Sequence, residues 1–90
     1  MTQARTEMIR RCLAEALAPE MLEIEDESHL HAGHAGARDG RGHFRVTVVS
    51  PRFAGLSRIA RHRLVFAALE DLMHTDIHAL TLQAFSPEEV

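Results

Sequence analysis

The sequence predicts one small α/β domain of the α+β kind, spanning residues 1–90, in which a three-stranded mixed sheet carries helices on one face. Three observations predict it. The chain of 90 residues has room for one compact core only. Two stretches carry apolar residues at helical spacing, and three others alternate apolar with polar residues as half-buried strands do. The order is helix, strand, strand, helix, strand, and the second helix joins strands two and three as a crossover, which favours a parallel pair.

The first helix places Met8, Ile9, Cys12, Leu13, Ala16 and Leu17 on one face, with Arg10, Arg11 and Glu15 opposite. Thr2 or Thr6 is its candidate cap, and Pro19 pushes Ala18 out of helical geometry, so the helix stops there. Leu22 and Ile24 then alternate with Glu23 and Glu25 in a strand expected from about Met21 to Glu27. Phe44, Val46 and Val48 mark a second strand, closed by Ser50 and Pro51 and expected to pair antiparallel with the first. A turn around Phe53 to Gly55 leads to Ser57, the expected cap of a single core helix with Ile59, Val65, Phe66, Leu69, Leu72 and Met73 along one face. Residues Ile77 to Phe85 form the third strand, with His78, Leu80, Leu82 and Ala84 on one side. Ser86, Pro87 and Glu89 read as a capping box for about one further turn.

Between strands one and two lies HLHAGHAGARDGRG, residues 29–42, with four of the five glycines and no hydrophobic period. A hairpin connection this long is more often functional or disordered than a plain turn. It also holds His29, His31 and His34, three of seven histidines in a chain without tryptophan or tyrosine. All ten basic residues are arginine, yet the formal net charge is −3, so the chain as a whole has no strong attraction for nucleic acid. The single cysteine, Cys12, forms no internal disulfide and sits in the apolar stripe as a core thiol. With neither an apolar run of membrane length nor a signal pattern, a cytoplasmic chain without membrane contact is the expectation. No serine or cysteine nucleophile stands in a recognisable setting, no phosphate-binding glycine loop is present, and Glu23 to Glu27 alternate along a strand, so an enzyme is not expected.

Several separated segments resemble the BolA family over essentially the whole chain. They are Glu25-Asp26-Glu27-Ser28-His29, the strand His43 to Ser50, the string FAGLSRIARHRLVFAAL with Phe53, Gly55, Arg61-His62-Arg63 and Val65, and the dipeptide His78-Ala79. The resemblance implies an αββαβ fold similar to the type-two KH domain. It also implies a non-enzymatic role in iron-sulfur trafficking or iron regulation, in heterodimers with a monothiol glutaredoxin. Such complexes share a two-iron, two-sulfur cluster. The partner supplies its cysteine thiolate and a glutathione thiolate, and the BolA protein supplies the histidine of its Arg-His-Arg motif, here His62, and a histidine or cysteine of the loop, here His31 by alignment. The loop is longer and richer in glycine and histidine than in many relatives, so His34 and His43 are further metal candidates. No cluster is expected to stay tightly on the isolated chain, a monomer or weak homodimer.

The residues agree chemically, since imidazole suits iron and zinc and mixed histidine and thiolate ligation of such clusters is established. One cysteine cannot hold a cluster, so further thiolates have to come from a partner. His62 also shares a helix face with Ile59, Phe66 and Leu69, which fits a packed core histidine equally, while His74 and His78 read as structural or surface residues. A zinc, copper or nickel site of loop histidines is a further reading. The alternative function is a DNA-binding transcriptional regulator contacting its target through Arg58, Arg61 and Arg63, although no Gly-x-x-Gly clamp lies between the relevant helices.

Overall fold

The computed structural model describes residues 2–28 and 42–90. In chain order the elements are α1 (Thr2–Leu17), β1 (Met21–Asp26), β2 (Gly42–Val49), α2 (Arg58–Ala68), α3 (Glu70–Thr75) and β3 (Ile77–Phe85), with short 3-10 turns at Pro51–Phe53 and Pro87–Glu89. The sheet runs β1-β2-β3, with β1 antiparallel to β2 and β2 parallel to β3, as the crossover requires. Ile9, Leu13 and Leu17 of α1 meet Phe44, Val46 and Val48 of β2, Val65 of α2, then Leu69, Ile77 and Leu82, in one core. Glu23, Glu25, Arg45, Thr81 and Gln83 alternate onto the other face and are exposed, so both long helices cover the same side.

The end of α1 is fixed by a short relay of bonds. Ala18 adopts φ +43, the left-handed region a residue with a side chain enters at a cost, directly before Pro19. Its N–H donates to Ala14 O at 3.1 Å, ending the helical ladder. Buried Ser50 then donates its Oγ–H to Leu17 O at 2.6 Å, pairing one of the carbonyls a helix end leaves without a partner. In the sequence Ser50 reads only as the stop of strand two; here it fastens α1 to the sheet.

Three expectations need correction. Thr2 and Thr6 both lie within α1, which begins at Thr2, so neither stands at the capping position before it. The single helix expected after Ser57 is two. Ser57 does cap α2, its Oγ accepting from Ala60 N at 3.1 Å, but the chain bends at Leu69 (φ −105, ψ 10), whose N–H is shared between Val65 O and Phe66 O. That three-centre bond tightens the last turn of α2 and lets α3 leave in a new direction while Leu69 itself stays fully buried. Ile59, expected on the core face, is 64% exposed because the first turn of α2 projects beyond the edge of the core. Two other expectations hold: Gly55 takes φ +77 in the predicted turn, and Ser86 N–H donates to Glu89 Oε1 at 2.7 Å in the predicted terminal cap.

Candidate functional site

At one end of the sheet the chain leaves β1 into residues 29–41 and returns at Gly42. Short polar groups tie the two stems of this loop together. Glu27 N–H donates to His43 O at 2.8 Å, His43 N–H donates to Ser28 Oγ at 3.1 Å, and Ser28 N–H donates to Asp26 Oδ1 at 2.8 Å. Gly42 makes the junction possible, since a Cβ there would meet Ser28 Oγ at 2.5 Å and the Phe44 ring at 2.8 Å. The register of β2 against β3 shifts between Gly42 and His43. This irregularity resets the alternation at the start of β3, so that Ile77 is buried and His78, expected on the side of Leu80 and Leu82, is exposed instead. The His78 and His43 rings stand 5.2 Å apart between centroids, tilted by 51°. His29, His31 and His34 lie outside the described residues, in the segment that starts and ends at these stems.

At the opposite end, between the first turns of α2 and the last residues of β3, a cleft of about 440 Å³ is lined by Leu56, Arg58, Arg61 and His62 facing Leu82 to Phe85, with Glu89 at its rim. Arg61 is the fixed point. Its Nε–H donates to Leu56 O at 3.0 Å, Nη1 to Ala84 O at 3.1 Å, and the two terminal nitrogens grip Glu89 at 2.6 and 3.1 Å as a two-pronged fork, with the guanidinium carbon 6.0 Å from the Phe53 ring centre. Together with the Ser86 N–H, that grip holds the Glu89 carboxyl down at about 2, and Glu89 in turn raises Arg61. Arg61, offered by the sequence as a nucleic-acid contact, is therefore a structural latch, and only Arg58 and Arg63 of that trio are exposed.

Among the described residues, the histidine candidates His43 and His62 stand on different sides of the sheet. His43 lies on the strand face opposite Phe44 and Val46, whereas His62 belongs to a helix on the Phe44 side. The cleft wall begins at Leu82, four residues or about 13 Å along β3 from His78. His62 thus lines the cleft, whereas His43 and His78 stand together at the loop stems. What the sequence reading missed is the proximity of His78 to His43. Its signal was present, because the His-Ala dipeptide stands at the very start of a strand that runs back beside the loop stems.

Cys12 is half-buried and packs against the core from α1. Among the described residues no three histidine, cysteine, aspartate or glutamate side chains gather to hold a metal ion. No helix among them is long and apolar enough to cross a membrane. Fold and site together define a small α+β module that presents imidazole at the stems of a histidine-bearing loop. The chain belongs to the BolA family: the family model described as BolA-like protein matches residues 13–89. It is similar to human BolA-like protein 1, 51% identical over 81 residues that make up 90% of this chain and 57% of that protein. It is also 44% identical over 87 residues to SufE-like protein 1 of Arabidopsis thaliana, covering 91% of this chain and 24% of that much longer one. The chain thus spans little more than half of the first relative and about a quarter of the second. The solved BolA domain of SufE1 from Arabidopsis thaliana superposes with a TM-score of 0.86 at 40% identity, over 97% of this chain and 96% of that one.

Proposed function

We propose that this protein is a non-enzymatic carrier that binds a monothiol glutaredoxin and shares a two-iron, two-sulfur cluster with it, serving cluster trafficking or iron regulation. The observation that carries the reading is the His43–His78 pair at the loop stems. Two imidazoles there, joined by His31 or His34 from the loop, make a donor set that suits iron and is too small to hold a cluster alone. The half-buried Cys12 on α1 is not placed to complete it. Thiolates from a partner cysteine and from glutathione make up the remainder, which is what a shared cluster demands. His78, with a loop histidine, takes the ligand role in this reading, and His62 leaves it for the cleft. The test is anaerobic mixing with a cluster-loaded monothiol glutaredoxin and glutathione, followed by visible circular dichroism and size-exclusion chromatography. A one-to-one complex with an altered cluster spectrum is expected. It should be lost in His78→Ala, weakened in His31→Ala or His34→Ala, and unchanged in His62→Ala. An unchanged spectrum for the wild type with every glutaredoxin tried refutes the proposal, while loss in His62→Ala alone returns the ligand to α2.

A further inference from the structure

From the cleft and the strand that forms its wall, we infer that β3 and Arg58 take up an extended acidic segment of a partner protein, whose carboxylate displaces Glu89 from Arg61. Among the described residues β3 is an edge strand, paired on one side only. Its register and the bond from Ser50 N–H to Phe85 O direct the backbone groups of Phe85, Gln83 and Thr81 toward β2, and those of Leu80, Leu82 and Ala84 outward. The Ala84 carbonyl is capped by Arg61. Leu80 and Leu82 are left to offer a short run of N–H and C=O groups at the spacing a peptide backbone matches, the arrangement on which strands add to sheets.

The neighbouring cleft specifies the charge of that peptide. Arg58, Arg61 and His62 line it against one acid, Glu89, in a chain whose formal net charge is −3, so the cleft is a basic spot on an acidic molecule. Arg61 is anchored from behind by Leu56 O and Ala84 O, which aims its fork outward without further ordering. Glu89 shows which group that fork accepts, and it is presented on the three-residue turn Pro87–Glu89. It is a carboxylate held in cis where a carboxylate in trans fits. A peptide satisfies both halves of the surface, the strand edge and the fork; nucleic acid satisfies only the charge.

The experiment uses the full chain and a fluorescein-labelled eight-residue peptide of alternating valine and glutamate, read by fluorescence anisotropy and by amide hydrogen exchange. Glu89→Gln, which removes the competing charge and keeps an oxygen for the Ser86 N–H, should bind about tenfold tighter than wild type. Arg58→Glu should bind about tenfold weaker, and the peptide should slow exchange at the Leu80 and Leu82 amides. The same peptide N-methylated along its pairing edge should not bind, an arm that holds whatever the variants do to folding. Equal affinity for both peptides, or binding without slowed exchange at Leu80 and Leu82, overturns the inference. So does a chain that ignores the peptide and binds a labelled oligonucleotide. Because these readouts need no cluster and no glutaredoxin, they stand or fall separately from the proposed function.

Discussion

At the loop end of the sheet the chain is held by serine, aspartate and backbone groups, and the His43 and His78 rings stand side by side there. At the cleft end it is held by a guanidinium that reaches α2, β3 and the terminal turn at once. The first arrangement brings two imidazoles, donors that suit iron and zinc, together beside a long connection. The second suits anion recognition, since its principal donor is permanently charged and pre-aimed. One small fold thus keeps a histidine pair at the start of β3 and an arginine-lined cleft at its end, and each should be separable from the other by mutation.

The largest effect that would break the comparison is at the cleft end. Phe53 is fully buried beneath Arg61, and Phe53→Ala should cost about 3–5 kcal/mol by emptying that space. A urea midpoint lowered accordingly with unchanged slope is expected, while the His43 and His78 ring resonances of the folded fraction stay in place. Movement of those resonances would mean that the two ends are coupled. The matching change at the loop end is Gly42→Ala. Its Cβ collides with Ser28 Oγ and the Phe44 ring, an overpacking expected to cost about 1–3 kcal/mol. Here the His43 and His78 resonances should shift and peptide binding at the cleft should not.

Much of this fold was legible in the sequence because each local signal agreed with the global arrangement. The Pro19 stop, the Ser57 cap, the alternation of β2 and the Ser86–Glu89 cap all recur in the structure. What was not legible depended on contacts between distant residues. Period alone cannot announce the bend at Leu69, because both halves of the stretch keep helical spacing. Nor can it announce the bulge beside Gly42, which moves His78 to the exposed side and so changes which histidine belongs with the loop. The motif Arg61-His62-Arg63 was conspicuous for chemistry, yet its first arginine is latched by a glutamate 28 positions away, a pairing no spacing rule contains.

A smaller effect sharpens the cleft end further. Ser57 accepts the Ala60 N–H at the exposed start of α2, and Ser57→Ala should cost about 1 kcal/mol. Because the loss falls on the turn that carries Arg58 and Arg61, peptide binding should weaken with it while transfer of the glutaredoxin-bound cluster is preserved. If cluster transfer failed as well, the two ends would have to be treated as one site.

The smallest effect is the most specific to the latch. The Glu89 carboxyl is lowered from 4.5 to about 2 by the Arg61 fork and the Ser86 N–H, so its charged form is favoured in the folded chain. A group depressed on folding stabilises above its unfolded value, and that contribution disappears as pH falls through the folded one. The difference in urea midpoint between wild type and Glu89→Gln should therefore be level above about pH 4.5 and shrink steadily between pH 4.5 and 2. Glu89 is exposed while Arg61 is largely covered, so salt should reduce the plateau without abolishing it. A difference that stayed flat down to pH 2 would mean that Glu89 does not sit on Arg61 in solution, leaving the fork open without a competitor. The wild type would then bind the acidic peptide as tightly as Glu89→Gln, and the cleft would be a standing receptor rather than one guarded by its own terminal turn.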